Sequence, residues 1–143
     1  MTKKKPTNGS MQDEMQEKII LYQMLQNHIE QIKKQAINLE REFMEIDGTL
    51  QAVETLSSGT VDHETLVPLG SGCYAGGKVT NNKKFLIDIG SGVIVNKKLL
   101  ETKKFLEDRK IEREKILNEL KNELEHALKK LNGVTQELQE MQK

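Results

Sequence analysis

Two long stretches of this chain repeat apolar positions every seven residues, and a short block between them is apolar almost without interruption. In the first stretch one seam position is filled by Met15, Tyr22, Ile29, Ala36, Phe43 and Leu50. The other is filled by Met11, Lys18, Leu25, Ile32, Leu39, Ile46 and Val53. Only Lys18 breaks the apolar rule over about six heptads, and such persistence specifies a coiled coil rather than a globular helix. Ser10 suits the N-cap, Asp13 and Glu14 suit the positive end of the helix dipole, and Ser57-Ser58-Gly59 ends the run. The second stretch starts near Asn96 to Leu99. Its outer half is regular, with Leu117, Leu120, Leu124, Ala127, Leu131, Val134, Leu138 and Met141 at spacings of three and four. Carried inward, the same frame puts Arg113 and Lys110 on the seam and displaces Ile111 and Phe105, which predicts a stutter.

The middle block contains a pattern written twice. Leu66-Val67-Pro68-Leu69-Gly70-Ser71-Gly72-Cys73-Tyr74-Ala75 returns as Leu86-Ile87-Asp88-Ile89-Gly90-Ser91-Gly92-Val93-Ile94-Val95. Each copy sets apolar residues on both sides of a Gly-Ser-Gly turn, where glycine supplies positive φ, so two β-hairpins are expected, separated by turn-forming Asn81 and Asn82. Val67 and Leu69 share a strand face and Leu66 lies on the other; Leu86 and Ile87 divide in the same way. A pair of strands apolar on both faces has to be covered, and other subunits are the expected cover. The assembling residues are then Leu66, Val67, Leu69, Gly70, Gly72, Leu86, Ile87, Ile89, Gly90, Gly92, Val93 and Val95.

Helices of about 46 residues on either side of a small β segment imply an antiparallel helical hairpin with arms of roughly 70 Å. The expected fold is α+β, mainly α: a long antiparallel coiled-coil helical hairpin with two β-hairpins at its base. The expected segments are a disordered tail (1–10), an N-terminal coiled-coil helix (11–57), a β-hairpin oligomerisation segment (58–96) and a C-terminal coiled-coil helix (97–143).

The outer ends of the helices carry more apolar surface than a two-stranded seam uses. Ile19, Ile20, Leu21 and Met24 extend the stripe beyond Met15, Tyr22 and Leu25, and Leu128 widens the second helix beside Leu124 and Leu131. Met11, Met15, Met24 and Met141 gather at the same end, and methionine repacks against varied partners. Strict seam positions serve the core first, whereas Ile20, Leu21 and Met24 read as exposed apolar surface. The expected binding site for exposed apolar segments of other proteins comprises Met11, Met15, Ile19, Ile20, Leu21, Met24, Leu128, Leu131, Val134, Leu138 and Met141. Several such weak tips on one base would hold one large client through their raised effective concentration.

Composition narrows the chemistry. Aromatic residues are 3% of the 143 and charged residues 31%, which fits long helices rather than one large core. Formal net charge is zero, so the electrostatic footprint of a nucleic-acid binder is missing. No apolar run approaches the roughly 20 residues that span a bilayer, and the lysine-bearing start has no apolar segment. One cysteine, Cys73, permits no internal disulfide and fits a reducing interior, hence a cytoplasmic location; it reads as a small buried hydrophobe. Gly70-Ser71-Gly72-Cys73-Tyr74-Ala75 formally fits a dinucleotide fingerprint, but Gly76, Gly77 and a strand follow where a helix is required. No phosphate-binding Gly-x4-Gly-Lys loop is present, so ATP-driven action is not supported. His28, His63 and His126 lack second ligands at metal spacing, and the carboxylates alternate with lysines, as in Glu112-Arg113-Glu114-Lys115. No catalytic residue, metal or cofactor is expected.

Helix, paired hairpins and helix, with Glu64-Thr65-Leu66-Val67-Pro68-Leu69-Gly70-Ser71-Gly72, Ile89-Gly90-Ser91-Gly92-Val93 and the following Lys97 and Lys98, resemble an alpha-class subunit of prefoldin. The architecture matches over residues 11–143, and specific similarity is concentrated in 64–98. The resemblance implies a heterohexamer of two alpha-class and four beta-class subunits, with the strands contributing to an intersubunit β-barrel. It also implies an ATP-independent chaperone that holds non-native polypeptides between its coiled-coil arms and passes them to a group II chaperonin, with no nucleic-acid or membrane partner. Two other readings differ in class: a filament-forming relative, in which contacts fail to close, and a structural coiled-coil adaptor.

Overall fold

The computed structural model describes residues 8–143, in the order α1 (Asn8–Ser58), β1 (Glu64–Gly70), β2 (Cys73–Lys78), β3 (Lys84–Asp88), β4 (Ile94–Lys98) and α2 (Leu99–Met141). The chain is thus two long antiparallel helices and two small antiparallel β-hairpins, the mainly helical arrangement that the heptads and the repeated turn imply. Of the tail expected over 1–10, residues 1–7 lie outside the described residues; helix α1 is already formed at Asn8, ahead of the expected cap Ser10.

Both helices contribute to two compact units. The terminal unit contains residues 8–41 and 115–143. Ile29, Ile32, Leu120 and Ala127 form its buried core, with Ala36, Leu39, Leu124 and Leu131 packed against it. All are heptad seam positions, each fully buried Leu or Ile contributing on the order of 1.5–3 kcal/mol relative to exposure. Polar pairs lie beside that seam. Lys18, the one break in the repeat, reaches Glu137, and His28 Nε2 lies 3.0 Å from Glu123 Oε1. Rising numbers in α1 meet falling numbers in α2, as antiparallel helices require.

The hairpin unit is Glu42–Glu114. Its helical seam contains buried Val53 and Leu106, and Lys110 and Arg113 occupy half-buried seam positions. Lys110 Nζ lies 2.9 Å from Asp47 Oδ1, and Arg113 Nε lies 2.6 Å from Glu42 Oε2. The stutter expected here is absent. The frame runs on through Leu117, Arg113, Lys110 and Leu106, because long stems cover the seam while their charged ends reach carboxylates on α1. Lys110 also sits 5.0 Å from the Phe43 ring centre. At the start of α2 the buried Thr102 hydroxyl donates to the Lys98 carbonyl at 2.9 Å, so its polar atom is satisfied.

Candidate functional site

The hairpins are built on one turn used twice. In the first, Gly70 pairs with Cys73 across Ser71 and Gly72, whose φ values are 52° and 76°. In the second, Ser91 and Gly92 have φ of 51° and 76°, and the Val93 amide donates to the Gly90 carbonyl at 2.9 Å. Two central residues with positive φ make a type I′ turn, whose twist matches that of the strands. A register irregularity between Pro68 and Gly70 accommodates the proline, which has no N–H to give a ladder. Asn81 Oδ1 accepts from the Lys83 and Lys84 amides, and Asn82 Nδ2 donates to the Gly59 carbonyl. These two asparagines set the link between the hairpins and tie it to the end of α1.

Within the chain the hairpins are covered unequally. Every residue of β1 is exposed, with Leu66 at 68%, and Val67, Leu69, Gly70 and Gly72 are open as well. In the second hairpin Phe85, Ile87, Val95 and Lys97 are half-buried on one face, while Leu86 is 72% exposed on the other. Phe85 and Ile87 border the same concavity as Val53, Leu56, Phe105 and Leu106 of the helices. Ile89, Gly90, Gly92 and Val93 around the turn are exposed. Sequence reasoning left out Phe85 on the covered face and Tyr74 and Ile94 on open faces; period-2 alternation places Phe85 with Ile87, Ile94 opposite in face to Val95, and Tyr74 opposite in face to Ala75. Cys73, expected to be buried, is exposed at the start of β2.

In the terminal unit the apolar residues divide by heptad position. Ile20 (56% exposed), Leu21, Met24 (62%), Ile19, Met11 and Leu128 are open, whereas Met15, Leu131, Leu138 and Met141 are half-buried. Val134, grouped with them by sequence, is 7% exposed: its heptad position turns it into the packed seam. Met11, Met15 and Met141 line one shallow concavity, which joins the start of α1 to the end of α2. Ile20, Leu21 and Met24 form a separate patch on the outer side of α1. Among the described residues no helix is long and apolar enough to cross a membrane.

The curated proteins contain no match to this chain. Among solved structures it is similar to a filamentous PFD from Methanocaldococcus jannaschii, determined by cryo-electron microscopy. The TM-score is 0.69 and the identity 19%, with 85% of this chain and 98% of the other covered. At that identity the likeness is one of fold. The profile of the family described as Prefoldin subunit matches residues 10–143, both helices and both hairpins together. With the whole architecture inside that match, the chain belongs to the prefoldin family.

Proposed function

We propose that this chain is an alpha-class subunit of an ATP-independent holdase. Its hairpins join those of other prefoldin subunits, two alpha-class with four beta-class, in an intersubunit β-barrel. The apolar patch of its terminal unit takes hold of non-native polypeptide, which passes to a group II chaperonin in the cytoplasm. The observation that carries the reading is the exposure of Ile20, Leu21 and Met24 beside a seam already filled by Tyr22, Leu25 and Ile29. Apolar side chains that the fold does not use favour a binding role. Replacing all three by Ser in the assembled complex is the test. The expected result is weaker suppression of the aggregation of a denatured protein, with the mass of the complex unchanged. Suppression at the original level would remove these residues from the role.

A second reading is a filament, favoured by the likeness to a structure described as filamentous. Hairpins that meet head to tail without closing would produce it. Electron microscopy of the assembled protein separates the two: closed particles of defined mass support the holdase hexamer, and fibres of indefinite length support the filament.

A further inference from the structure

The two hairpins differ at one equivalent cross-strand position. At the open end of the first, Glu64 faces Lys78, opposite charges in register. At the same place in the second, Lys84 faces Lys98. Directly opposed like charges weaken a strand pair. Lys83 is adjacent, and all three lysines border a concavity of about 620 Å³ whose floor includes Leu99 and Leu100. Leu100 is 78% exposed, an apolar side chain standing among cations. Glu101 is the one carboxylate lining it. Of the five helical cations in the same unit, Lys103, Lys110 and Arg113 each have a carboxylate within 3.1 Å, whereas Lys104 and Arg109 have none among the described residues. Among the described residues Lys83, Lys84 and Lys98 have none.

We propose that this lysine-rimmed concavity binds an extended acidic segment of another polypeptide, whose carboxylates meet Lys83, Lys84 and Lys98 and whose apolar side chain rests on Leu99 and Leu100. Charge complementarity selects the occupant. An acid placed between Lys84 and Lys98 turns the repulsive pair into two attractive ones, and the exposed leucines add an apolar anchor that a bare anion would not use. The site lies outside the terminal patch proposed to hold clients, so its loss is separable from loss of holdase action.

The probe is a fluorescent peptide of alternating glutamate and leucine, titrated by anisotropy against the full chain. The expected result is saturable binding that weakens as salt rises, since exposed charge pairs are screened. Lys84→Ala together with Lys98→Ala should weaken it by about tenfold. Lys84→Glu restores the Glu–Lys opposition of the first hairpin; this variant should melt no lower than the parent chain and still lose the peptide. Lys129→Ala with Lys130→Ala, on α2 in the terminal unit, should bind as before. Three outcomes would overturn the proposal: equal loss in the Lys129/Lys130 variant, equal binding of a single-stranded oligonucleotide of the same charge, or undiminished binding by Lys84→Glu. Aggregation of the Lys84/Lys98 variant without any peptide binding by the parent would instead make these lysines guards of a strand edge, and would also sink it.

Discussion

The two hairpins share a turn down to its φ angles and a half-buried alternation in their second strands, yet β1 is exposed throughout while Phe85 and Ile87 of β3 are half-buried, and the difference lies in a single face. In equivalent register positions the first hairpin carries Thr65, Val67, Ala75 and Gly77, and the second Phe85, Ile87, Val95 and Lys97. The second set is larger at every position. Phe85 and Ile87 border one concavity with Val53, Leu56 and Leu106, and Lys97 lies 5.4 Å from the Phe105 ring centre, with Arg109 at 4.8 Å from the same centre. The small face of the first hairpin has too little apolar area to dock in this way, since an aromatic side chain buries roughly 150–250 Å². A repeated turn fixes shape; the volume on one face decides what that shape rests against.

The strongest way to break the comparison is to remove what lies beneath the second hairpin. Leu106→Ala should lower the stability of the isolated chain by about 2–4 kcal/mol, through lost burial and a residual cavity. Leu66→Ser, on the exposed first hairpin, should change it by less than about 0.5 kcal/mol while weakening assembly with partner subunits. Urea denaturation at concentrations where the chain is monomeric reads the first effect, and the mass of the assembly reads the second. Equal losses of stability would mean that the first hairpin is held within the chain after all.

Phe85→Thr is the next step down, because it gives the second hairpin the side chain the first has at that position. Phe85 is half-buried, so the expected cost is about 1–2 kcal/mol, together with faster amide exchange along β3 and β4. Retained protection in β3 would show that Ile87 and Val95 suffice to dock the hairpin. Gly92→Ala should cost about 1 kcal/mol of chain stability, since its φ of 76° strains any residue with a Cβ, although the space around it is open. Gly72→Ala imposes the same strain at the same φ. Its cost should appear in the exchange of β1 and β2 amides and in assembly, not in unfolding of the isolated chain.

Much of this is legible in the amino-acid sequence alone. The heptads identify the seam because each of its apolar residues recurs at 3.5-residue spacing, and the doubled Gly-Ser-Gly identifies both turns. Lys110 and Arg113 misled because charge at a seam position resembles a broken frame, whereas each side chain bridges to a carboxylate on α1 that is remote in sequence. Leu106, four residues before Lys110, already continued the repeat. Val134 was grouped with surface residues by its neighbourhood, although its heptad position put it in the core. Which hairpin docks was the least visible feature. It depends on Phe85, which stands just before the repeated pattern begins, and on helix residues about thirty positions before it and twenty after it.

The smallest effect gives the sharpest comparison. Ser71 and Ser91 occupy the first central position of their turns, with φ of 52° and 51°, a region that costs most residues strain and that asparagine tolerates better. Either serine replaced by asparagine should therefore stabilise its own hairpin by a few tenths of a kcal/mol, the same local gain in two places. The gains should be felt differently. In Ser91→Asn the hairpin is docked, so closing its turn more firmly is coupled to unfolding and should raise the melting temperature of the isolated chain by about 1–2 °C. In Ser71→Asn the hairpin can open while the rest stays folded, so the melting temperature should stay put and only the β1 and β2 amides should exchange more slowly. Equal shifts in melting temperature would show that both hairpins unfold with the helices, and the unequal faces would then no longer explain how the chain divides its stability.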